Sequence, residues 1–81
     1  MSDAEKLKLA DLVARFSHAL LIKLCEAQDK GRSGWERDDW EWECQQGLLR
    51  HIEKGDPRDV AAYCAFMWHH GWKPVPDNTG R

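Results

Sequence analysis

Apolar residues in the first third of the chain recur at helical spacing. Leu9, Val13, Phe16, Leu20 and Leu24 form one stripe, and Leu12 and Leu21 widen it. Lys8, Asp11, Arg15 and His18 fall on another face, with Asp11 four residues before Arg15 as a favourable pair. Ser2 followed by Glu5 forms a capping box, so a first helix is expected to start there. Gly31 and Gly34 then interrupt the pattern as a turn over Gln28 to Arg37. A second stripe follows in Trp40, Cys44, Leu48 and Ile52, broadened by Leu49. Its helix is expected to open around Asp38, with Glu41 as the answering acid. Acids at its start and Arg50 and Lys54 at its end suit the helix dipole. Gly47 in the middle costs about 1 kcal/mol relative to Ala, which is tolerable where another helix or an aromatic ring must come close.

The third helix has the clearest start. Gly55 ends its predecessor, Asp56 caps, Pro57 fills the first position and Asp59 lies in the first turn. Val60, Tyr63, Cys64 and Met67 make the expected buried line, while Phe66 and Trp68 point partly away from it. His69 and His70 favour the negative end, Gly71 is the stop, and Pro74 and Pro76 prevent continuation. The pattern predicts an all-α fold, a compact three-helix bundle. It reads as one helical domain over residues 1–75 and a flexible, irregular tail over 76–81.

Composition narrows the function classes. At 81 residues the core must be small, because a chain of this size buries only about 60% of its unfolded surface. Partner binding or homo-oligomerisation would cover more apolar surface. A net charge of -2 argues against direct binding of nucleic acid, which needs a basic face. Cys25, Cys44 and Cys64 are odd in number and widely spaced, which points to buried reduced thiols in a cytoplasmic protein. Phe16 to Cys25 is the most apolar run, but it is too short to span a bilayer and Ser17, His18 and Lys23 interrupt it. His69 and His70 project about 100° apart on a helix, so they do not share a metal ion.

Five tryptophans exceed what so small a core can bury. Trp40 and Trp42 lie about 200° apart on one helix, so at least one of them faces out. The row Trp35, Glu36, Asp38, Asp39, Trp42 and Glu43 therefore reads as a partner-binding surface, exposed rings rimmed by charge. Such an acidic row suits a protein partner with a basic, nucleic-acid-binding groove, where it would imitate phosphates.

A second line of reading rests on a resemblance. Lys23-Leu24, Lys30-Gly31, Gly34-Trp35, an acidic helix, then Gly55-Asp56 and Asp59-Val60-Ala61-Ala62-Tyr63 follow an order that resembles phage-type MazG-like all-α nucleotide pyrophosphohydrolases. The resemblance covers roughly residues 16 to 71. It implies a Mg-dependent enzyme that hydrolyses a nucleoside triphosphate to a monophosphate and pyrophosphate. Glu43, Asp56 and Asp59 would hold the metal, and Lys23 or Lys30 would meet phosphate. The departures weigh against that activity. Cys44 and Gly47 stand where the family pattern has glutamates, Asp56 replaces a glutamate, and the segment between the two acidic motifs is short. No catalytic residue and no cofactor are therefore assigned. The expected function is that of a small acidic phage or mobile-element accessory protein. It would inhibit or modulate a partner by occluding its surface, as anti-CRISPR host-defence inhibitors do. The nucleotide hydrolase and an oligomeric structural module are the alternatives.

Overall fold

The structure, a computed structural model, describes residues 2–76. The expected tail therefore lies, apart from Pro76, outside the described residues. Three helices carry the chain: α1 (Asp3–Asp29), α2 (Glu41–Lys54) and α3 (Pro57–His70). The described residues contain no strand, and the fold is all-α as the pattern requires. No helix is long and apolar enough to cross a membrane among the described residues.

The caps behave as local chemistry dictates. The Ser2 hydroxyl accepts from the Glu5 amide and the Glu5 carboxylate accepts from the Ser2 amide, so the capping box is complete. Asp56 Oδ1 accepts from the Arg58 amide at 2.9 Å, with Pro57 in the first turn of α3. Gly55 and Gly71 both take left-handed backbone at φ 91° and 75°, a region that side chains disfavour, and they end α2 and α3. The start of α2 is a correction. It begins at Glu41, not near Asp38, and its cap residue Trp40 makes no side-chain capping bond. Residues 37–39 stand outside the helix, where Asp39 accepts from Arg37 across two charge-assisted bonds of 3.1 and 2.7 Å.

α3 is the hub of the fold. α2 lies against it as a hairpin partner, and α1 packs on α3 but not on α2. The core is small: Cys44, Leu48, Ala62 and Met67 are buried, with Trp40, Val60, Tyr63, Phe66 and Trp72 packed around them. Gln45 is the buried polar residue. Its Nε2 donates to the Lys73 carbonyl at 2.8 Å and so ties the segment after α3 back onto α2. Gly47 sits under the Tyr63 ring. A Cβ there would stand 2.5 Å from Tyr63 Cε1, so only glycine permits this closeness.

Several expected core positions are not covered. Ile52, Leu49 and Cys64 are exposed, and Ala62 takes the inward place expected of Cys64. Cys25 is exposed as well, so only Cys44 fits the buried-thiol expectation. Burial raises the Cys44 thiol to about 11, so it stays protonated at neutral pH. Phe66, expected to point away, packs on the core instead. The largest departure is in α1. Leu9, Leu12, Val13 and Phe16 are all exposed, and every residue from Asp3 to His18 is open to solvent. Only the second half of the helix meets α3, where Ala19, Leu20, Lys23, Leu24 and Ala27 are half-buried. α1 is thus an arm that projects past the hairpin.

Candidate functional site: an aromatic cleft between the helices

Between the second half of α1, the 30–40 loop and the α2–α3 hairpin lies an open cleft of about 900 Å³. That is the size of a small-molecule or cofactor pocket. Its apolar walls are aromatic: Trp35 and Trp40 from the loop, Tyr63 and Phe66 from α3. The rings support one another. Trp35 stacks on Phe66 with centroids 5.9 Å apart, Trp40 tilts against Phe66 at 5.7 Å, and Tyr63 meets Phe66 edge-on at 6.1 Å.

The loop is held in place through one carbonyl. Trp35 O accepts from the Trp40 indole at 3.2 Å and lies 2.7 Å from His70 Nε2. A carbonyl only accepts, so this contact puts the imidazole proton on Nε2. His70 also stacks on Trp72 at 4.0 Å. The two terminal histidines of α3 thus have packing roles. His69 meets Trp35 edge-on and His70 anchors the loop.

At the other end of the cleft, Lys23 of α1, His51 of α2 and Asp59 of α3 converge. Lys23 Nζ of α1 stands 3.5 Å from Asp59 Oδ1 and 3.9 Å from Asp56 Oδ2. His51 Nδ1 of α2 lies 3.6 Å from Asp59 Oδ2, beyond hydrogen-bond length, and is buried without a partner among the described residues. The His51 ring also lies over Tyr63, centroids 5.0 Å apart. Arg58 grips Asp56 through two contacts of 3.2 and 2.9 Å. That guanidinium, together with the Arg58 amide and then Lys23, holds the Asp56 carboxyl down at about 2.

This arrangement decides how the residues fit a divalent metal. The Lys23 ammonium occupies the space between Asp56 and Asp59 where a cation would bind, and Arg58 takes up Asp56 further. Glu43 lines the cleft but is exposed. Among the described residues, no three histidine, cysteine or acidic side chains converge on one point. Glu43, Asp56 and Asp59 therefore do not fit Mg²⁺ as a set.

The expected partner-binding row is divided. Trp35, Asp39 and Glu43 line the cleft. Glu36 and Asp38 are exposed loop residues, and Arg37 holds the Asp39 carboxyl below its ordinary value through their hydrogen bond. Trp42 is 62% exposed on the side of α2 away from Cys44 and Leu48. Trp68, at 86% the most exposed ring, stands at the edge of the cleft. Two features escape sequence reasoning. The meeting of Lys23, His51 and Asp59 is one, since nothing in their spacing relates three helices. The aromatic wall is the other, for which the only signal was the excess of tryptophan. Lys30 is exposed at the end of α1 and is not among the cleft residues. Comparison with known proteins identifies no relative: no family model, no curated protein and no solved structure matches this chain.

Proposed function

We propose that the protein acts by binding, and that the cleft takes a small ligand with a flat apolar body and an anionic end, the class that nucleotides represent. The observation that carries this reading is the pairing of an aromatic wall with cations in one cavity. Trp35, Trp40, Tyr63 and Phe66 form the apolar wall, and Arg32 stands beside them with no acidic partner among the described residues. Lys23 and Arg37 are paired with Asp59 and Asp39 and would have to exchange those partners for the anionic end. Stacking on such rings contributes about 1–3 kcal/mol per base. The resemblance to nucleotide pyrophosphohydrolases supports the same ligand class. The crowding of Asp56 and Asp59 by Lys23 and Arg58 favours retention of the ligand over its hydrolysis. The test is tryptophan fluorescence titrated with deoxynucleoside mono- and triphosphates, with and without Mg²⁺. Saturable quenching is expected, and Trp35→Ala should weaken it at least tenfold. No saturable change with any nucleotide would sink the proposal. Pyrophosphate release would show that binding proceeds to chemistry.

A second reading has its own support. Trp42 and Trp68 are large exposed rings on two different helices, a composition typical of protein-interface hot spots. On this reading the chain is a cytoplasmic accessory protein that occludes a partner, and Glu41 and Glu43 flank the Trp42 anchor. Host-protein capture with the wild type and with Trp42→Ala tests it. Equal recovery of every captured protein by both would dismiss Trp42 as an anchor.

A further inference from the structure

The unpartnered half of α1 demands an occupant. Its apolar stripe continues the one that packs on α3, but α3 does not extend under it. Seven large apolar residues of this helix, Leu7, Leu9, Leu12, Val13, Phe16, Leu21 and Ile22, are between 38% and 71% exposed. The stretch from Asp3 to His18 is about 24 Å long at 1.5 Å per residue. We infer that this face is the interface of a homodimer, in which the α1 arms of two copies pair along Leu9, Leu12, Val13 and Phe16.

Area, shape and charge favour a second copy over other occupants. The chain exposes 6457 Å². A compact monomer of 9.4 kDa exposes about 5,000 Å². The excess surpasses the roughly 800 Å² that each partner gives up in a standard interface. The radius of gyration tells the same story, 15.1 Å against about 12 Å for a compact chain of this length. The charges on the arm select the partner. Asp3, Glu5 and Asp11 balance Lys6, Lys8 and Arg15, so the arm carries no net charge before His18. A basic groove, a nucleic acid or an anionic membrane gains no net electrostatic attraction from a neutral arm. An identical arm meets it without repulsion, and a two-fold pair uses the same patch twice. Such a dimer would enlarge a core that holds only four buried apolar residues per chain.

Analytical ultracentrifugation of the full chain tests this. The expected mass is twice the 9.4 kDa of one chain, and the thermal midpoint should rise with protein concentration. Val13→Asp should give a monomer whose circular dichroism remains helical. Glu53→Lys, on the exposed side of α2, should leave the dimer intact. If Val13→Asp fails to fold, Leu7→Lys at the outer end of the arm serves in its place and should weaken the dimer at least tenfold. A wild type that sediments as a monomer with a concentration-independent midpoint overturns the inference, whether or not its arm then binds vesicles or another protein. A folded Val13→Asp that remains a dimer overturns it too. Nucleotide titration of the monomeric variant reads the cleft independently, so failure of one proposal is distinguishable from failure of the other.

Discussion

The arm of α1 and the α2–α3 hairpin carry the same kind of pattern and meet opposite fates. Both have apolar residues every three or four positions, and both have well-formed starts. In the hairpin the middle of the stripe is covered, with Cys44 wholly removed from solvent and Leu48 nearly so, while Ile52 at its end stays exposed. In the arm a stripe of larger residues is left open. An amphipathic pattern therefore reports which face a helix would bury. It does not report whether a neighbour reaches that face. The covered stripe belongs to two short helices joined by a single turn, which hold each other in register. The open stripe belongs to a helix nearly twice as long as either partner, and its excess length has nothing to lie on.

The sharpest way to break this comparison is to make the same kind of truncation in both regions. Leu48→Ala empties a buried position between α2 and α3 and should cost about 3 kcal/mol. Val13→Ala, measured below the concentration at which arms pair, should change stability by less than about 0.5 kcal/mol. Urea unfolding of the two variants at low protein concentration checks both. A comparable loss in the two would mean that the arm is covered within a single chain.

Gly47→Ala asks how tightly the hairpin is built. Alanine favours a helix by about 1 kcal/mol. Against that, its methyl group would drive into the Tyr63 ring, an overpacking that costs about 1–3 kcal/mol. The expected net is a loss of about 1 kcal/mol, or a drop of roughly 4–8 °C in thermal midpoint. An increase would show that Tyr63 swings aside without loss.

The smallest effect concerns the junction where Lys23 of α1 meets the start of α3. Asp56 titrates at about 2 in the folded chain, below the roughly 3.9 of an unfolded aspartate. Its contribution is thus fully present above about pH 4 and is lost as the pH falls through about 2. The thermal midpoint of the wild type should decline across that window. Asp56→Ala should start lower at neutral pH and decline less steeply. Parallel curves for the two proteins would remove Asp56 from the acid response.

Much of the hairpin was legible in the chain itself. Asp56-Pro57 and Gly71 marked the ends of α3, and Gly47 announced a close approach that turned out to be the Tyr63 ring. These are local effects of capping, backbone freedom and side-chain size. The start of α2 was misplaced because Asp38 and Glu41 satisfy a capping rule in sequence, whereas the helix starts at Glu41 behind Trp40, which makes no side-chain capping bond. The candidate site was legible only in part. Trp35, Asp39 and Glu43 were singled out, but the row they belong to splits, because Trp42 turns to the opposite side of α2.

By itself the sequence determined three helices, most of their ends, and the faces they would bury, since each depends on residues within a few positions of one another. Tertiary structure alone decided that α3 is the hub, that Lys23, His51 and Asp59 share one corner, and that the first half of α1 goes uncovered. Those outcomes depend on how far one helix extends beside another. No local periodicity records that length.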